Sequence, residues 1–109
     1  MSKTELQQIQ AREIVPGYHG RFVHGDTMTV AYWDIEAGNS LPEHAHKHEQ
    51  VVNIIEGEFE LIVEGVSYRL KAGDVFVLHS NVKHEGNAIT DCRIIDVFQP
   101  VRKDYVFEQ

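Results

Sequence analysis

The chain has one cysteine, Cys92, among 109 residues. That excludes an internal disulfide and leaves no Cys-x-x-Cys pair to hold a metal. No apolar run is long enough to cross a bilayer, and the opening Met1-Ser-Lys-Thr-Glu lacks the apolar segment of a secretion signal. A cytoplasmic protein with no membrane partner is therefore expected. Basic residues are few. With 10 Lys+Arg against 17 Asp+Glu the formal net charge is −7, and no basic run or arginine stripe offsets it, so a nucleic-acid partner is not expected. There is also no internal linker, low-complexity tract or clear repeat. At this length, with 42% hydrophobic and 25% charged residues, the chain reads as one domain with a single core.

Helical signal is scarce too. Thr4-Glu-Leu-Gln7 can form a capping box for one short helix with Leu6 and Ile9 on a face, ended by Ile14-Val15-Pro16-Gly17. Residues 1–20 read better as an irregular or strand-like N-terminal arm, packed on the domain or on a partner subunit, and residues 21–109 as the domain itself. Strand patterns fill that domain. Thr27–Glu36 alternates, with Ala31, Trp33 and Ile35 on one side; Phe59, Leu61 and Val63 alternate against carboxylates, and Val66, Tyr68 and Leu70 follow. Val75–Leu78 reads as a continuously apolar, buried strand, and Arg93–Phe98 as the last long one. Glu56-Gly57, Glu64-Gly65 and Ala72-Gly73-Asp74 mark tight turns between them. Short strands at this spacing predict an all-β fold, a small antiparallel β-barrel or jelly roll.

The chemistry concentrates in two runs. The first is Gly38-Asn-Ser-Leu-Pro-Glu-His44-Ala-His46-Lys-His-Glu-Gln50; the second runs from Gly73-Asp74 to His84. Imidazole nitrogen and amide oxygen suit borderline divalent transition metals, and residues two apart on a strand point the same way, so His44 and His46 can converge on one ion. A lone His-x-His in a chain with seven histidines has the bland reading of a chance pair. The following strand pattern and a third histidine at the end of a later strand favour a metal site. Glu49 points to the opposite face of an extended segment, so Gln50 is the better candidate for a fourth ligand; the alternative is that Gln50 only hydrogen-bonds nearby and the metal is weakly held. Three imidazoles and an amide leave a divalent ion its full charge, a stronger electrophile and anion trap than a site with a carboxylate. His48 shares the parity of His46 and Gln50, which leaves a fifth contact open, but it is expected to be exposed. His79 is expected at a strand end, beside the site or on the surface. For His19 and His24 a structural or solvated role is expected.

These motifs resemble those of the cupins. Gly38, His44, His46, Gln50 and Gly57 fit the spacing of the family's first motif, with Gln50 where glutamate is usual. Gly73 and His84 fit the second, with His79 at a proline position and Asn81 at a glycine position. The tail Asp96-Val-Phe98-Gln-Pro100-Val-Arg102-Lys-Asp104-Tyr105 is similar to that of KdgF-type cupins. That resemblance implies ring opening of unsaturated uronate monosaccharides to a linear keto form, at a site of three histidines and a glutamine. It implies Asp96 as acid/base and Arg102 as substrate anchor. The residues agree in part: Asp96 shares a strand face with Ile94 and Phe98, and a guanidinium fork matches a carboxylate. A structural Asp96–Arg102 pair pinning the C-terminal segment is the alternative. The metal, Zn, Ni, Mn or Fe, stays open. So do two other functions: a different metal-dependent cupin enzyme such as a dioxygenase or lyase, and a non-catalytic module binding a small ligand. A homodimer is expected, with Leu6, Ile9, Ile14 and Val15 as candidate contacts.

Overall fold

Alternation of inward and outward side chains dictates the architecture. The structure, a computed structural model, describes residues 1–107. Its strands are β1 (Arg12–Val15), β2 (Tyr18–His24), β3 (Thr29–Ile35), β4 (Ser40–His44), β5 (Glu49–Glu56), β6 (Glu58–Val63), β7 (Val66–Lys71), β8 (Val75–Leu78), β9 (His84–Ala88) and β10 (Cys92–Gln99). They form a six-stranded sheet in the order β1-β2-β3-β10-β5-β8 and a four-stranded sheet in the order β4-β9-β6-β7, with every pairing antiparallel. The two sheets face each other as a jelly roll and do not close into a continuous barrel.

Along β3 the buried residues are Thr29, Ala31, Trp33 and Ile35, and along β10 Cys92, Ile94, Asp96 and Phe98. The opposite sheet contributes Phe59, Leu61 and Leu70. Each large apolar side chain buried here contributes on the order of 1.5–3 kcal/mol. Phe22 packs its edge against Trp33 at 5.4 Å between ring centroids and stacks on Tyr105 at 4.4 Å, so the C-terminal segment is fastened to the core by aromatic contact.

The expected turns form. Gly57 takes φ +90°, and a Cβ there would run into the backbone carbonyl of Asp91, so only glycine fits the β5–β6 corner. Asn81, at the position where the cupin pattern has glycine, takes φ +65°, a conformation that asparagine tolerates better than most residues.

Two expectations change. Val75–Leu78 is an edge strand, not a buried one: Leu78 is 1% exposed, but Val75 and Val77 point outward at 60% and 48%. A continuous apolar run cannot distinguish two covered faces from one covered face and one apolar outer face. On β7 only Leu70 is buried, since Val66 and Tyr68 also lie on an edge strand. The N-terminal segment takes the strand-like one of its two expected forms and packs on the domain: β1 pairs with β2 from Arg12 onward, and Tyr18 belongs to the core. The helix candidate is a single 3-10 turn at Leu6–Gln8, without a side-chain cap.

Candidate metal centre

The space between the sheets opens at one end into a cavity of about 230 Å3. Both sheets supply its polar wall. His44 ends β4 and pairs with His84, the first residue of β9, in the four-stranded sheet. Gln50 on β5 faces across from Phe98 on β10, and Asp96 sits two residues away on the same inner face of the six-stranded sheet. His46 lies beyond the end of β4, in the loop to β5. Strand parity therefore does not by itself bring His44 and His46 together; the loop turns His46 inward, to 5.6 Å between ring centroids. One ring nitrogen from each of His44, His46 and His84 lies within 4.8 Å of the others.

The hydrogen bonds fix which nitrogen is available. His44 Nδ1 is 2.9 Å from Pro42 O, His46 Nδ1 is 3.0 Å from His48 O, and His84 Nδ1 is 3.0 Å from Val82 O. A carbonyl can only accept, so each neutral ring carries its proton on Nδ1 and presents Nε2 as a bare lone pair. This outer ring of backbone acceptors is how metal-ligating histidines are usually oriented. Gln50 Oε1 stands 3.1 Å from His46 Nε2. In that tautomer no proton lies between them, and two acceptors that close repel unless a cation sits beside both. Neighbouring ligands on a tetrahedral divalent ion are separated by roughly 3.3 Å, given bonds of about 2.0 Å. Asp96 supports this orientation of the amide: Gln50 acts on it as a hydrogen-bond donor, which turns nitrogen toward Asp96 and oxygen toward the histidines. The donor set thus fits a divalent transition metal.

Burial, the Arg102 charge and the other two histidines lower His46 to about 4. Burial is also the main cause that lowers His84. Both rings are neutral at neutral pH, the state a ligand needs.

Asp96 accepts a hydrogen bond from Trp33 Nε1 at 3.0 Å through Oδ2, while Oδ1 is buried without a bond of full geometry. Burial raises Asp96 to about 7, against the opposing pull of Gln50, Trp33 and the Arg102 charge. A carboxylate raised from 3.8 to about 7 binds its proton more tightly in the folded chain, so its contribution to stability is most favourable below pH 4 and declines as pH rises toward 7. That difference corresponds to about 4 kcal/mol at most. In metal-free protein, Asp96→Asn is expected to raise the melting temperature by at least a few degrees at pH 8 and to leave it unchanged at pH 4. Melting curves showing a loss at pH 8 would mean that the charge is stabilised in place.

Arg102 is buried in the cavity wall, with its guanidinium over the rings of Phe98 and Tyr105. Its fork is engaged with Asp104, Nε to Oδ1 at 3.0 Å and Nη2 to Oδ2 at 2.7 Å. The ion pair that forms is Arg102–Asp104, not the Asp96–Arg102 pair that the sequence offered as a structural alternative. His48 is buried, contrary to expectation: its Nε2 donates to Val101 O at 3.2 Å, its ring stands outside the histidine cluster, and it anchors the loop. His79 is on the surface, 4.0 Å from Glu49, which confirms that Glu49 points away from the site. His24 is structural, bonded to Thr29 Oγ1 and Tyr105 O, and His19 lies by Glu13 and Glu36 on the outside. Trp33 and Tyr105 were missed by sequence reasoning as site residues. Trp33 was placed on the inner face of its strand, but nothing in the sequence aims its N–H at Asp96.

Comparison with known proteins agrees with this picture. The family model described as Cupin domain matches residues 31–98. The pectin degradation protein KdgF of Dickeya dadantii is 28% identical over 82 residues, 74% of each chain. The solved structure of KdgF from Halomonas sp. superposes with a TM-score of 0.90 at 27% identity, covering 97% of this chain and 99% of the other. An RmlC-like cupin from Shewanella frigidimarina superposes with a TM-score of 0.89 at 31% identity, covering 94% of both.

Proposed function

The chain belongs to the cupin family, and from that premise we propose that it is a metal-dependent enzyme that opens unsaturated uronate monosaccharides to their linear keto form. The observation that carries this reading is a cavity lined by His44, His84, Gln50, Asp96 and Arg102, with the His46 ring nitrogen beside those of His44 and His84 and the Gln50 oxygen. The similarity to two KdgF proteins supports it. His44, His46, His84 and Gln50 would hold the ion. When bound, the ion would supply a positive charge that stabilises negative charge developing on substrate oxygen.

The other roles belong to side chains. Arg102, with its plane fixed by two aromatic rings, holds the substrate carboxylate. Asp96 has one oxygen committed to Trp33 and one directed at no protein donor of full geometry, so Oδ1 is placed to carry a proton. In ring opening the anomeric hydroxyl loses a proton, the bond between C1 and the ring oxygen breaks, and a carbon of the former alkene gains a proton, with no change in composition. Asp96 moves that proton from oxygen to carbon. Burial between the sheets keeps bulk water from competing with it. Proton NMR of uronate incubated with the metal-loaded protein should show the vinylic signal replaced by that of a linear keto acid; an unchanged spectrum contradicts the reading.

One observation favours a second reading, a different metal-dependent cupin enzyme. The inner end of the cavity is apolar, walled by Trp33, Ile35, Phe59, Leu61 and Ile94. A hydroxyl left unpaired there costs about 1–3 kcal/mol. A screen that includes small acids with hydrocarbon tails separates the two readings.

For assembly we propose a homodimer through the outer face of the six-stranded sheet. The registers align Val23, Val30, Val97, Val51 and Val77 in one row across five strands, with Tyr32, Ile95 and Val75 in the next. Five strands about 4.8 Å apart make this patch roughly 20 Å across, an adequate centre for an interface of about 800 Å2 per partner. The valine row carries no charge and the next row adds one cation, Arg21, with Asn53 between Ile95 and Val75, so two copies of this acidic chain can meet along the valines without repulsion. Of the arm residues, Ile14 and Val15 line the cavity of their own chain, and Leu6 and Ile9 stay candidates for the contact. Sedimentation at micromolar concentration should give a dimer that Val97→Glu converts to monomer. A monomeric wild type would exclude this interface.

A further inference from the structure

Arg102 cannot stand without an anion. Its side chain is 9% exposed, and a buried guanidinium left unpaired carries a heavy desolvation cost. Asp104 supplies the anion through a two-point fork, at 3.0 and 2.7 Å, from only two residues away. The usual reading is that such a carboxylate aims the arginine. Here the aim is set by other groups. Arg102 N–H donates to Thr29 Oγ1 at 3.0 Å, which fixes the backbone. The guanidinium carbon stands 4.6 Å from the Phe98 ring centroid and 4.1 Å from that of Tyr105, which fixes the plane. Tyr105 is itself held, stacked on Phe22 and bonded through its carbonyl to His24.

Asp104 is held less firmly. Its side chain is 57% exposed, and Arg102 is its side-chain partner among the described residues. Both residues line the cavity that His44 and His84 also line. A solvated carboxylate can leave the fork and be rehydrated at small cost, provided another carboxylate takes its place. The guanidinium then stays paired throughout, and the net change is an exchange of one two-point carboxylate contact for another.

We propose that Asp104 is a displaceable stand-in for the substrate carboxylate: it occupies the Arg102 fork in the empty enzyme and yields it when an anionic substrate enters. This rests on the reading of Arg102 as the anchor. It makes Asp104 a specificity-determining residue, because a ligand must offer a carboxylate able to replace a tethered competitor. Neutral sugars and ligands with a single weak acceptor cannot. A carboxylate tethered two residues away competes at an effective concentration in the mM range or above, so its removal should tighten binding of an external carboxylate.

The test uses D-galacturonate, a saturated uronate that lacks the ring alkene, titrated calorimetrically into the metal-loaded protein. Asp104→Asn should bind it about tenfold more tightly than wild type, and Arg102→Gln about tenfold more weakly. Asp104→Ala serves as a second variant. Both Asp104 variants should gain more melting temperature from added D-galacturonate than wild type gains, since the ligand restores the missing anion. If Arg102→Gln weakens binding but neither Asp104 variant tightens it, Asp104 supports the arginine and the stand-in role is overturned, while the anchor survives. If binding is indifferent to Arg102→Gln, the anchor reading falls, and the stand-in role with it.

Discussion

Replacing both His46 and His84 with alanine is expected to take bound metal from about one ion per chain to none. The two rings supply two of the three bare nitrogens that face one another, and the remaining pair, His44 and Gln50, offers one imidazole and one weakly basic amide oxygen. Two neutral ligands do not hold a divalent ion against dilution, since affinity depends on ligand number and type. The fold should survive. His46 lies in a loop, and His84, although only 3% exposed, borders an existing cavity, so its truncation enlarges a space instead of opening a new one. Elemental analysis of the purified variant is the measurement, with the melting temperature as control. One ion per chain in the folded double variant would show that these residues are not the ligand set.

The second large effect is on turnover. Asp96→Asn keeps the shape of the side chain and an acceptor for Trp33 Nε1, but it cannot pass a proton. General acid–base groups contribute about 10²–10⁴-fold, and a loss in kcat of that size is expected while metal content and fold persist. Arg102→Lys keeps a charge but loses the planar fork and the stacking on Phe98 and Tyr105, so KM should rise more than kcat falls. If Asp96→Asn unfolds the protein, the carboxylate is structural and its place beside Gln50 has no catalytic meaning.

Much of this site was legible in the sequence because strand parity carries real information. Asp96 lies on the inner face with Ile94 and Phe98, and Glu49 and Gln50 face opposite ways, as alternation requires. What parity could not give was long-range pairing. The edge position of β8 depends on its having, among the described residues, a strand partner only in β5, which no local pattern encodes, and so the apolar outer face at Val75 and Val77 read as core. The inward turn of His46 comes from a loop, where period-two reasoning has no force. His48 looked exposed for the same reason; its burial follows from a bond to Val101, 53 residues away. The engagement of Arg102 with Asp104 is local, two residues apart, yet no local pattern prefers it to a pairing with Asp96.

The most direct measurement compares the rate at which unsaturated galacturonate, or its alginate-derived isomer, loses its ring alkene in three samples: metal-loaded protein, the same protein stripped by chelator, and buffer. The account predicts that at least one of the two is consumed well above the spontaneous rate by the loaded protein, with the excess vanishing on stripping and returning on reloading. Loss of both at the spontaneous rate in the loaded sample would contradict it.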